Sequence, residues 1–314
     1  MRQVFLNINT NISRNFSVLK LFSILMVFCG HFFHEIPILW IPVTVGLLIF
    51  SFSSGLFTSV KYTGAYSIKK FWTNKLKRLG ASFCVINAVL FLLFMVQNKQ
   101  GLWSWHTLIN ILGLNGLLNW FYINNISPFG RGMWFLTLLL LFYLVYPFLE
   151  KLNKKAMVIT SIAFVFAAYY LNGYHGYGHA LWLTACGFIL GVLTGKNGMK
   201  MPPKTGRLFS VIFFLIMMGL NIFFKFSALN FFLLLLFSVS LIFSTCDVVI
   251  SDKWYQIMSP FTGCIFEIYL LHSYLSVTPT QIRIIDFIIS LTLVVFLSRG
   301  VNFVSHALVA KFEG

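Results

Sequence analysis

The sequence predicts an all-α polytopic membrane protein with about ten transmembrane helices and both termini on the cytoplasmic side. Three observations carry that expectation. Of the 314 residues, 59% are hydrophobic and only 10% charged, with a mean hydropathy of +0.86. A soluble domain carries about 25% charged residues, and the polar residues present would not cover so large an apolar content. The apolar residues also fall into uniform runs without the strict alternation of a membrane β-barrel, so helices satisfy the backbone within lipid.

Runs long enough to cross a bilayer occupy roughly 16–34, 38–59, 79–97, 132–150, 155–171, 178–196, 207–224, 228–247, 256–277 and 282–304. The first begins after a polar stretch and lacks a small-residue cleavage site, so it is expected to remain as a span. The long connection 98–131 holds Trp103, Trp105 and Trp120 around TLINILGLNGLLNW. That density of indoles suggests a segment lying in the membrane interface or re-entering the bilayer. The whole chain, 1–314, is expected to form one membrane-embedded domain without a fused soluble domain.

The formal charge of +16 would suit nucleic acid on a soluble protein. Here the 23 lysines and arginines sit in short loops between apolar runs. With a cytoplasmic N-terminus, only Lys99, Arg131, Lys225 and Arg283 fall outside, and Lys20 lies within the first span. The rest fall inside, as the positive-inside rule requires, and nucleic-acid binding is rejected. The five cysteines (Cys29, Cys84, Cys186, Cys246 and Cys264) lie in apolar runs with no metal-ligand or disulfide spacing. They read as packing residues.

Ionisable groups within spans are costly and usually functional. In KLFSILMVFCGH, Lys20 and His31 return to within about 20° of one helical face, with a rise of about 16 Å. Either this face presents a cation and an imidazole for chemistry, or Lys20 snorkels to the interface and His31 bonds a neighbouring carbonyl. The second span ends FSFSSGLFTS, where Ser51, Ser53, Ser54 and Gly55 permit close helix approach. The basic stretch SIKKFWTNKLKRLG follows, with Lys75 and Arg78 sharing a face. Inside-positive charge accounts for part of it, and an anionic ligand is the alternative. Glu267 is one of few acids within a span and suits either a structural hydrogen bond or a partner role to a histidine or cation. His31, His34 and Glu35 have a spacing that could ligate metal, but solvation at a span end is preferred and no metal is expected. His175 and His179 lie in the glycine-rich NGYHGYGHALW, read as an exposed loop or an acceptor entrance. His106 and His306 carry no assignment.

Five motifs in register resemble the acyltransferase-3 family of integral membrane acyltransferases. These are Lys-x10-His in the first span, SSG in the second, Lys-x-x-Arg in the third, MWFLTLLLLFYLVYP, and IYLLHSYL. The resemblance implies catalysis at His31 and donor binding by Lys20, Lys75 and Arg78. It maps the family's tryptophan to Trp134 and its late-span histidine to His272, which with Glu267 are expected to line a substrate pocket. Lys75 stands where the family usually has arginine, so bidentate phosphate contact is not expected there. The implied activity moves an acyl group, expected to be acetyl, from acyl-coenzyme A to a hydroxyl of a surface polysaccharide or lipid-linked glycan. The implied location is the bacterial inner membrane, where lipid surrounds the spans. A rival reading is a transporter or flippase for a lipid-linked or anionic solute, which would more naturally show inverted repeats and broken helices. A non-enzymatic polysaccharide-assembly component has only hydropathy in its favour.

Overall fold

The structure, a computed structural model, describes residues 10–62, 64, 66–174, 178–198, 201–224 and 229–313. His175 and the side chain of His179 lie outside the described residues. Among those described, the chain is all α-helical, as the polytopic expectation requires. In order come α1 (Thr10–Phe32), a 3-10 turn (Pro37–Leu39), α2 (Trp40–Lys61), α3 (Ile68–Val96), α4 (Trp105–Ile111) and α5 (Asn115–Trp120). Then follow α6 (Trp134–Lys151), α7 (Lys154–Tyr174), α8 (Gly178–Asn197) and α9 (Pro203–Phe224). The last are α10 (Asn230–Ser244), α11 (Asp252–Thr262), α12 (Ile265–Leu271) and α13 (Arg283–Glu313).

Among the described residues, 8 helices are long and apolar enough to cross a membrane: α1, α2, α3, α6, α7, α8, α9 and α13. Two of the ten expected spans differ. The run 228–247 condenses into α10, whose 15 residues extend about 22 Å, short of a 30 Å hydrocarbon core. The run 256–277 breaks into α11 and α12. Pro260 removes one helical donor, and at Gly263–Cys264 the Cys264 amide bonds back to Phe261 O at 3.3 Å, tightening the turn. In the other direction, α3 starts earlier than the apolar run. Ser67 caps it, its Oγ accepting from the Lys70 amide at 3.3 Å, so the basic stretch becomes the first turns of the helix.

The chain divides into two compact units, Met1–Ala65 with Val145–Met258, and Tyr66–Leu144 with Ser259–Gly314. In the first, small residues let backbones meet. A Cβ added at Gly55 would stand 2.2 Å from Phe188 O, and one at Gly191 would stand 2.2 Å from Phe52 O. Gly187, Gly191 and Gly195 therefore form a stripe on α8 that seats α2 against it, and Gly46 takes the Ser23 carbonyl of α1 in the same way. The SSG stretch thus serves packing, and the α8 stripe is its counterpart. Phe16, Phe52, Phe231 and Phe243 fill the core around the seam. At one end, Arg14 pairs with Asp252 at 2.5 Å and lies over the Tyr255 ring, while Asn15 donates to Thr245 O and Val248 O. These contacts fix the start of α1, which carries Lys20 and His31.

In the second unit, α3, α12 and α13 pack together, and α4 and α5 lie between α3 and α6 in the chain. Helix α4 has inverted polarity. Trp105, Leu108 and Leu112 are exposed, whereas His106, Thr107 and Asn110 are buried. Lipid on the outer face accounts for that arrangement, since apolar side chains cost nothing there.

Candidate active site

In the first unit, Lys20 and His31 share helix α1. Lys20 is half-buried, with its ammonium 5.8 Å from the Phe57 ring centre. Phe57 follows the small-residue stretch of α2, so the same packing that closes the α1–α2 hairpin brings an aromatic face to the cation. His31 occupies the last turn of α1 and is exposed. Gly30 beside it sits so close to α2 that an added Cβ would overlap the Val43 side chain. The chain then leaves the helix, with the Phe33 amide still bonded to Cys29 O at 2.8 Å. His31 is thus fixed by a rigid hairpin and presented outward.

The second unit holds Lys75, Arg78, Trp134, Glu267 and His272. Lys75 is half-buried, its ammonium 3.9 Å from the centre of the Tyr143 ring and 5.6 Å from that of Phe71. Arg78, one turn on, is exposed. The Lys-x-x-Arg motif therefore splits into an aromatic-bound cation and an open guanidinium. Ser82 continues the same helical face and donates to Glu267 Oε1 at 2.5 Å. Asn302 of α13 donates to the same oxygen at 3.2 Å, so buried Glu267 joins three helices. Of the two roles open to Glu267, the structural hydrogen bond is the one seen; its partners are a hydroxyl and an amide.

His272 follows α12 and has no exposed surface. Its Nδ1 lies 2.5 Å from Tyr269 O and its Nε2 3.0 Å from Ser273 Oγ. A carbonyl only accepts, so Nδ1 carries the proton and Nε2 is an acceptor for the serine hydroxyl in the neutral ring. Around it, Tyr269 OH donates to Gly132 O at 2.9 Å, and the Gly130 amide donates to Tyr274 OH at 2.8 Å. Gly130 and Gly132 have φ of +87° and +67°, values that favour glycine. Trp134 is the first residue of α6, half-buried directly after this loop.

Sequence reasoning missed Ser82, Asn302, Tyr143 and the two clamping tyrosines. The IYLLHSYL motif already contained Tyr269 and Tyr274, and helical spacing from Lys75 reaches Ser82. Among the described residues no three His, Cys, Asp or Glu side chains cluster to hold a metal ion.

An acyltransferase-domain family model, that of acyltransferase-3, matches residues 14–304, and the chain belongs to that family. It is thus a multi-pass membrane acyltransferase. No curated protein and no solved structure matches it significantly.

Proposed function

We propose that the protein transfers an acyl group, acetyl in the simplest case, from acyl-coenzyme A to a hydroxyl of a surface polysaccharide or lipid-linked glycan in a bacterial inner membrane. The observation that carries this reading is the pairing on α1 of an aromatic-bound Lys20 with an exposed, rigidly mounted His31. An imidazole titrates near neutrality and suits removal of a proton from an alcohol. The acceptor oxygen bonds the acyl carbon as its proton passes to His31. The carbon–sulfur bond breaks, and the imidazolium returns the proton to the leaving thiolate. In the second unit Arg78 is the fork-shaped contact for the donor's phosphates and Lys75 a point charge; Lys20 is the donor-binding cation of the first. Trp134, Glu267 and His272 line or support the acceptor side. Neither step needs a metal ion.

The test supplies purified protein in nanodiscs with acetyl-coenzyme A and follows free thiol and acyl transfer. Wild-type protein should release thiol, and His31→Ala should not. Absence of both hydrolysis and transfer in correctly folded wild-type protein would sink the proposal and favour transport.

A further inference from the structure

The loop joining α5 to α6 is built with more care than a connector needs. Arg131 is exposed between the two left-handed glycines, and among the described residues it has no acidic partner. Four hydrogen bonds hold the main chain on either side of it. Tyr274 OH takes the Gly130 amide, Asn115 donates to Gly130 O, Tyr269 OH donates to Gly132 O, and the Met133 amide closes on Gly130 O at 3.2 Å. Gly132 packs directly on the residues after α12, since an added Cβ would stand 2.2 Å from Ser273 Oγ and 3.4 Å from His272 Cε1. The guanidinium is therefore mounted on a fixed turn, one residue from the contact with Ser273.

Ser273 itself has a defined polarity. Because His272 Nδ1 donates to Tyr269 O, the Ser273 proton points to Nε2. Half-buried Ser273 thus offers only oxygen lone pairs to a visitor, and a hydroxyl of that visitor can donate to them. Arg131 adds the geometry that suits a carboxylate or phosphate. We propose that Arg131 and Ser273 form an acceptor subsite for an anionic alcohol, such as a uronic acid unit of an acidic glycan, Arg131 binding the anion and Ser273 accepting from a hydroxyl. This deepens the acyl-transfer reading by naming the acceptor class, and it rests on that reading for its role in turnover.

Binding tests it without turnover. Saturation-transfer NMR on purified protein would compare methyl glucuronide with neutral methyl glucoside for wild type, Arg131→Gln, Arg131→Lys and Ser273→Ala. Wild type should prefer the glucuronide by about tenfold or more, equivalent to about 1.4 kcal/mol, and the preference should shrink with added salt. Arg131→Gln should bring the ratio near one, Arg131→Lys should restore part of it, and Ser273→Ala should weaken both sugars. Equal binding of the two sugars by wild type, or a preference that survives Arg131→Gln, overturns the subsite; unchanged binding by Ser273→Ala removes the serine from it. Acetyl-coenzyme A hydrolysis by the same preparation separates the two readings. Selective binding without hydrolysis or transfer keeps the subsite and defeats the proposed function, whereas hydrolysis without selective binding does the reverse.

Discussion

Ser82 Oγ lies 2.5 Å from Glu267 Oε1, a hydrogen bond between residues 185 positions apart inside the apolar part of the second unit. The same carboxylate oxygen takes the Asn302 amide. Glu267→Ala would leave the buried Ser82 hydroxyl without its acceptor, at about 1–3 kcal/mol, while half-buried Asn302 keeps its second acceptor, Gly263 O, at 3.3 Å. A lower thermal midpoint in detergent is expected for Glu267→Ala, with a smaller loss for Glu267→Gln, which keeps a carbonyl acceptor. An unchanged midpoint in Glu267→Ala would show that the contact contributes nothing.

The glycine stripe of α8 gives a prediction with an internal control. Gly191→Val would drive a side chain into the Phe52 carbonyl, and backbone cannot yield cheaply. Overpacking of this kind costs about 1–3 kcal/mol or more, so less monodisperse protein should be recovered on size exclusion. Gly219→Val, on α9, meets nothing within 4 Å and should behave as wild type.

For turnover, His31→Ala should lower the transfer rate by about 10²–10⁴, the usual contribution of a general base. His31 is exposed, so the melting behaviour should hardly move. Near-wild-type turnover in the folded variant would refute the assignment.

Donor binding is expected to depend on the ring under Lys75. Tyr143→Phe keeps the aromatic face and should leave the KM for acetyl-coenzyme A close to wild type. Tyr143→Leu should raise it several-fold, since a partly buried cation–π contact contributes about 1–2 kcal/mol. Arg78→Ala should raise KM more than it lowers kcat, and the difference between variant and wild type should fade at high salt. Equal donor affinity in all three variants would return these residues to a role in topology alone.

Hydropathy made most of the helical path legible, because a bilayer demands apolar length and little else. It misjudged 256–277, where composition stays apolar across the break and only Pro260 and Gly263 betray it. The Lys20–His31 face was readable because both residues ride one helix, whose geometry is fixed. The partners were not: Ser82 with Glu267 and Lys75 with Tyr143 meet across helices, and periodicity within one segment is silent on its neighbours. The tautomer of His272 was equally hidden, since it depends on the turn that brings Tyr269 O to Nδ1.

The inverted polarity of α4 bears on how the protein is made. At 7 residues, with Thr107 and Asn110 on its inner side, the helix is too short and too polar for the insertion machinery to release it into lipid as a span. Nor would its exposed Trp105, Leu108 and Leu112 rest well in water. The segment therefore has no favourable environment until α3 and α6 flank it and Thr137 can accept the Gly116 amide and donate to Gly113 O. Its docking should be a late step of biogenesis, completed after the surrounding spans are released. A ribosome-stalled chain that carries Asn110→Cys and ends before α6 should leave that thiol open to aqueous labelling, and the full chain should protect it, since Asn110 is buried there.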